Sequence, residues 1–176
     1  GHEQPNLPGE LGFYDLRVSA VQRRQVELAK NYGIHGFCFY YYWFNGKRLL
    51  DHPLDQFLND PEINFPFCLC WANENWTRRW DGNSQEILLS QEHTFEFDKL
   101  IIHDFVNFFL DTRYIRINNR PLLIIYRPDI LQDVKATLDY WRLYSIEKGF
   151  GNPYIIAVQT FGYKDSQEDG FDAEID

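Results

Sequence analysis

The chain has 176 residues, of which 26 are acidic and 17 basic, for a net charge of −9. That length suits one ordinary domain able to bury about 70% of its unfolded surface, and the acidic balance argues against binding a phosphate backbone, so no nucleic-acid partner is expected. No run approaches the ~20 apolar residues of a membrane span, and Gly1-His-Glu-Gln-Pro5 has neither the basic nor the apolar region of a signal peptide.

Ser19 to Tyr32 sets Val21, Val26, Leu28 and Ala29 among polar residues, with Gly33 placed to end a helix. Ile34 to Phe44 carries no charge after His35 and is too apolar on both faces for a half-exposed strand, so a buried central strand is expected. A short helix over Pro53 to Asn59 and a second buried strand over Phe65 to Ala72 follow. Asn73 to Thr94 reads as a long polar loop, and Phe95 to Leu110 as a helix. Pro121 to Tyr126 is the third strand, Asp133 to Lys148 the next helix, Tyr154 to Phe161 the fourth strand, and Phe171 to Ile175 the start of a fifth.

Apolar strands separated by helices imply an α/β fold with parallel pairing. There is no Gly-x-Gly-x-x-Gly turn, and polar residues gather just after strand ends. This favours a parallel (β/α) TIM-type barrel over a doubly wound sheet. A full barrel runs to about 250 residues. Four to five βα units therefore make residues 1–176 a partial barrel, a single domain that lacks the first strand and the C-terminal units.

Aromatic residues make up 18% of the chain, an excess suited to stacking on the C–H faces of sugars. They are densest in Trp71-Ala-Asn-Glu-Asn-Trp-Thr-Arg-Arg-Trp-Asp-Gly82, where three Trp, two Arg and two carboxylates occupy one predicted rim segment. Glu74 lies past a strand end between two amides, where a carboxylate can act as a general acid or bind sugar hydroxyls; the alternative is a loop-fixing ion pair with Arg78 or Arg79. Asp81-Gly82 reads as a turn. Glycoside hydrolysis needs two carboxyls, and Asp15, Asp129, Asp172, Glu174 and Asp176 are the other acidic residues near a predicted rim, none compelling. Of the run Tyr40-Tyr-Tyr-Trp43, half serves the core and the rest approaches the rim, and Trp43 and Asn45 are the preferred ligand candidates. Arg127 either binds an anion or pairs with Asp129.

His35 lies too early in its strand to reach the rim, and His52, His93 and His103 show no metal-ligand spacing and read as surface or helix-terminal residues. Cys38, Cys68 and Cys70 sit in apolar runs as small buried hydrophobes, without the second pair a zinc site needs. They fit a reducing, cytoplasmic compartment. No metal or cofactor is expected.

The strings Gly9-Glu-Leu-Gly-Phe-Tyr-Asp15, Tyr32-Gly-Ile-His-Gly-Phe-Cys38, Tyr42-Trp-Phe-Asn-Gly-Lys47, Phe67-Cys-Leu-Cys-Trp71 continuing to Gly82, and Asp111-Thr-Arg-Tyr-Ile115 together resemble the WbsX-type glycosyltransferase family, which is related in fold to glycoside hydrolase family 99. The resemblance runs from Gly1 to about Arg127. It implies a (β/α) barrel, sugar substrates with an activated donor, and a role in bacterial surface polysaccharide or lipopolysaccharide O-antigen assembly. It also implies that Trp43, Asn45, Trp71, Asn73, Glu74, Asn75, Trp76, Arg78 and Trp80 line the substrate. The family's upstream Gly-Phe-Thr-Glu-Trp string and downstream Asn-Glu-Trp-Ala-Glu-Gly string do not occur in this chain, and the related hydrolases carry their catalytic carboxylates in the downstream piece. Three readings follow: a glycosyltransferase-like enzyme, a retaining endo-acting glycoside hydrolase or transglycosylase, and a non-catalytic sugar-binding module.

Overall fold

The computed structural model describes residues 5–78, 83–159, 162–163 and 166–176. Helix α1 (Ser19–Asn31) leads into strand β1 (Phe37–Phe44), which turns back through β2 (Lys47–Leu49). The chain then runs through α2 (His52–Asn59), β3 (Phe67–Trp71), the short strands β4 (Trp76–Arg78) and β5 (Asn83–Leu89), and α3 (Phe95–Asp98), followed by a 3-10 turn and α4 (Ile102–Phe108). Next come β6 (Arg116–Ile117), β7 (Arg120–Ile125), α5 (Val134–Glu147), β8 (Tyr154–Val158) and β9 (Ala173–Ile175).

The result is a mixed α/β fold on a mostly parallel sheet. Strands β1, β3, β7, β8 and β9 pair in parallel in that order, so sheet order follows chain order, while β2 and β6 add antiparallel hairpins. All five expected strands are present within a few residues of their expected ends.

Two expected elements differ. The loop Asn73 to Thr94 contains the antiparallel pair β4–β5, with its register shifted on both sides of Thr77. Its strands were illegible because they alternate little and owe their place to Trp76 packing edge-on against Tyr42 and Phe44. The expected continuous helix from Phe95 to Leu110 tightens to a 3-10 turn at Lys99–Ile101.

The two sheet faces are unequal. On one, Tyr41, Phe67, Leu69, Trp71, Leu123, Ile125, Ile155 and Ala157 are almost wholly buried beneath Phe57, Ile101, Ile102, Phe105, Leu138 and Trp141. Each such large side chain contributes about 1.5–3 kcal/mol of burial. The other face carries Cys38, Tyr40 and Tyr42 beside Cys68, Cys70 and Ala72, then Ile124 and Tyr126, by the register of the parallel pairs. This face is less covered, with Tyr40 57% exposed.

The close packing at the start of β1 depends on a missing side chain. A Cβ on Gly36 would lie 2.9 Å from the Pro66 carbonyl oxygen and 3.0 Å from Ile115 Cδ1, so only glycine allows the strands to approach there. Arg113 then ties the loops beneath the sheet, donating to the carbonyls of Phe57, Leu58 and Ile63 while it pairs with Asp111.

Candidate functional site

The C-terminal ends of β1, β3 and β7 form one rim, and the segment 72–75 after β3 is fixed there by buried polar side chains. Asn73 is wholly buried and clasps β7: its Nδ2 donates to the Arg127 carbonyl at 2.7 Å, and its Oδ1 accepts from the Arg127 N–H at 2.8 Å. Gln91 Nε2 donates to the carbonyls of Ala72 and Glu74, and the Gln91 N–H donates to Asn75 Oδ1 at 2.6 Å. His93 completes the frame, with Nε2 at 2.9 Å from the Asn73 carbonyl and Nδ1 at 2.9 Å from Asp98. An irregular backbone segment is rigid when its groups are satisfied in this way.

Glu74 emerges from this frame with Oε1 accepting from Arg127 Nη1 at 2.6 Å. Arg127 also grips Asp129 through Nε and Nη2, both at 2.7 Å, a two-bond fork. That fork holds the Asp129 carboxyl below the usual range, although burial pushes the other way. Among the described residues Arg78 bonds Glu86, and Arg127, 53 positions along the chain, holds Glu74, while Arg79, the other expected partner, lies outside them. Arg127 does pair with Asp129.

Beside Glu74 lies a cavity of about 240 Å³ lined by Tyr40, Tyr42, Ala72, Asn75, Trp76 and Tyr126. Four aromatic rings, one carboxylate and one amide around such a volume suit a sugar ring, with apolar C–H faces against the rings and hydroxyls at the polar groups.

Glu74, Asn75 and Trp76 meet at this cavity, and the other described candidates lie elsewhere. Trp43 and Trp71 are 5% and 1% exposed and belong to the core on the helix-covered side, Trp71 packing on His93 and Trp141. Strand alternation explains the Trp43 difference: Tyr40 and Tyr42 take the cavity face, and Tyr41 and Trp43 take the opposite one. Asn73 is structural. Asn45 occupies the β1–β2 turn at φ 49° and accepts a bond from the Glu92 N–H. Arg78 stands on β4 in its pair with Glu86. Trp80, with Arg79, Asp81, Gly82 and Thr160, lies outside the described residues.

Three of the remaining acidic candidates are held by polar partners away from this cavity. Asp15 binds Arg17, which holds its carboxyl down to about 2, and Asp172 ties Arg120, Arg142 and the Ile155 N–H. Glu174 accepts from Ser166. His93, expected as a surface or helix-terminal residue, directly precedes the Thr94 cap of α3 and is part-buried in this frame. Gln91 and His93 were missed because they sit in an unpatterned polar stretch.

A model of the family described as glycosyltransferase WbsX matches residues 1–176. The chain belongs to the glycosyltransferase WbsX family. Uncharacterized proteins named WxcX from two strains of Xanthomonas campestris pv. campestris are 44% identical to it over all 176 residues. The chain spans 25% of the length of these curated relatives. A solved glycoside hydrolase-like protein aligns over 89% of the chain and 48% of its own length, with a TM-score of 0.62 and 17% identity, a likeness of fold. This WbsX-family chain thus shares its fold with a glycoside hydrolase-like protein. Among its described residues, no helix is long and apolar enough to cross a membrane.

Proposed function

We propose that this chain supplies one wall of the active-site cleft of a glycosyltransferase-like enzyme that builds a bacterial surface polysaccharide such as a lipopolysaccharide O-antigen. The observation that carries the proposal is the aromatic cavity beside Glu74, at the rim where three parallel strands end. A sheet whose parallel strands follow chain order, with helices on one face, supports an interior part of a (β/α) TIM-type barrel, whose chemistry is performed at that rim. Residues 1–176 then act as one domain within it, without the first strand and the C-terminal units.

In this reading Tyr40, Tyr42, Trp76 and Tyr126 stack on the sugar, and Asn75 and Glu74 bind its hydroxyls. Arg127 fixes the carboxylate in place, which suits Glu74 to holding and orienting substrate, and the reacting carboxylates come from segments beyond this chain. The cytoplasm, where activated sugar donors are made, is the proposed compartment.

Retaining hydrolysis or transglycosylation is the second reading, favoured by the fold shared with a glycoside hydrolase-like protein. Product analysis by mass spectrometry separates the two, with the full-length protein incubated with sugar nucleotides plus oligosaccharide acceptors, and separately with oligosaccharides alone. An acceptor lengthened by one sugar supports transfer. Shortened oligosaccharides without any donor overturn transfer in favour of hydrolysis.

A further inference from the structure

The rings that line the cavity beside Glu74 stand in crossed planes. Tyr40 and Tyr126 meet at 88° with centroids 5.9 Å apart, and Tyr42 and Trp76 meet at 71° with centroids 5.4 Å apart. A flat pyranose face is served by a ring parallel to it, and a ring at right angles to that one adds an edge instead of a second platform. Walls in several planes fit a compact group that is approached from several sides. Aromatic walls of this kind attract a cation through the negative faces of their π systems, most strongly where water is excluded.

The polar groups of the cavity agree with the rings. Asn75 Oδ1 is taken by the Gln91 N–H at 2.6 Å, which leaves Nδ2 to donate to a hydroxyl oxygen. Glu74 lines the cavity as a carboxylate, and the Arg127 guanidinium that holds it also serves Asp129, one positive charge between two negative ones. The sheet beneath the rings offers sulfur and carbon. Tyr40 stands opposite Cys70 in the register of β1 and β3, and Cys68 and Cys70 are buried, as expected for all three cysteines, while Cys38 is exposed.

We propose that the cavity selects a sugar residue carrying a free, protonated amine in place of one ring hydroxyl, with the ammonium held between the aromatic walls and Glu74. The proposal rests on the reading of this cavity as a sugar site and adds the substituent that the site recognises. The ammonium N–H groups donate to the Glu74 carboxylate, and a hydroxyl of the same sugar accepts from Asn75 Nδ2. Discrimination then runs against close relatives of that sugar. A hydroxyl in place of the amine can still donate to Glu74 but brings no charge to the rings or the carboxylate. An N-acetyl group loses the charge and adds bulk to a cavity of about 240 Å³. An acidic sugar places like charge against Glu74 and is disfavoured.

The test is ligand-observed NMR titration of the full-length protein with matched sets of methyl glycosides, the members of each set differing at one ring carbon by a hydroxyl, a free amine or an N-acetyl group. In at least one set the free amine is expected to bind about tenfold tighter than both relatives, and the preference should vanish once the pH is raised above the pKa of the sugar amine. Tyr40→Leu, which keeps an apolar wall and removes the ring, should shrink that preference. Amine binding no tighter than that of its hydroxyl or N-acetyl relative in every set, or a preference that persists with the amine deprotonated, overturns the proposal and leaves the sugar site standing. Binding of no glycoside in any set overturns both. Because the wild-type protein decides between these outcomes, a poorly folded variant leaves the answer intact.

Discussion

Asn73 bonds both the N–H and the carbonyl of Arg127, and no other residue type offers a donor and an acceptor at that reach from that position. Replacing it by Ala would leave two buried backbone groups unsatisfied, at a cost of about 2–3 kcal/mol. Chemical denaturation of Asn73→Ala is expected to show that loss, and sugar binding should weaken with it because Glu74 follows directly. Asp111 offers a check by pH. The Arg113 side-chain bond holds its carboxyl below the ordinary 3.8 against an upward push from burial. A depressed folded value means that the stabilisation is complete above the ordinary value and is lost as pH falls through the depressed one. Thermal melts should therefore drop as pH falls below the ordinary 3.8 by more in the wild type than in Asp111→Asn. At this scale the sequence was informative about composition and poor about direction. Glu74 was visible as a rim carboxylate because it follows an apolar strand, whereas its bond to Arg127 joins positions 53 apart and leaves no local pattern.

Elements were more legible than residues. The parallel strands and the helices α1, α2 and α5 follow from apolar runs, periodicity and end signals, and they formed where expected. The phase of β1 did not follow. Phe37 to Phe44 holds no polar residue to mark a solvent side, so the choice between Tyr42 and Trp43 for the cavity had no basis in the pattern, and burial decides it. The β4–β5 pair was hidden for a related reason, since its place comes from Trp76 packing on β1 instead of from its own alternation. The β1–β2 hairpin turns through Asn45 and Gly46 with φ of 49° and 93°, the left-handed pair of a type I′ turn. Gly46→Ala is expected to lose about 1–2 kcal/mol, read as a lower denaturation midpoint. An unchanged midpoint would show that the hairpin does not constrain the fold.

For the whole molecule, the unequal sheet faces organise everything else. One face is sealed by helices and provides stability, and the other leaves aromatic rings accessible beside the rim. The composition foretold a chain rich in flat rings, but it could not apportion them. Most of the Phe and three of the Trp, Trp43, Trp71 and Trp141, went to the sealed side, and Tyr40, Tyr42, Trp76 and Tyr126 to the cavity. The central claim is that this cavity holds a sugar. It is tested most directly by exposing the full-length protein and its Tyr40→Ala variant to an array of bacterial surface-polysaccharide fragments. Tyr40 is the residue of choice because it lines the cavity while remaining 57% exposed, so its removal spares the core. Loss of one stacking ring should weaken binding of the retained fragments by about tenfold, equivalent to about 1.4 kcal/mol, with the melting temperature essentially unchanged. Equal retention of the same fragments by wild type and Tyr40→Ala would contradict the assignment of the cavity to sugar.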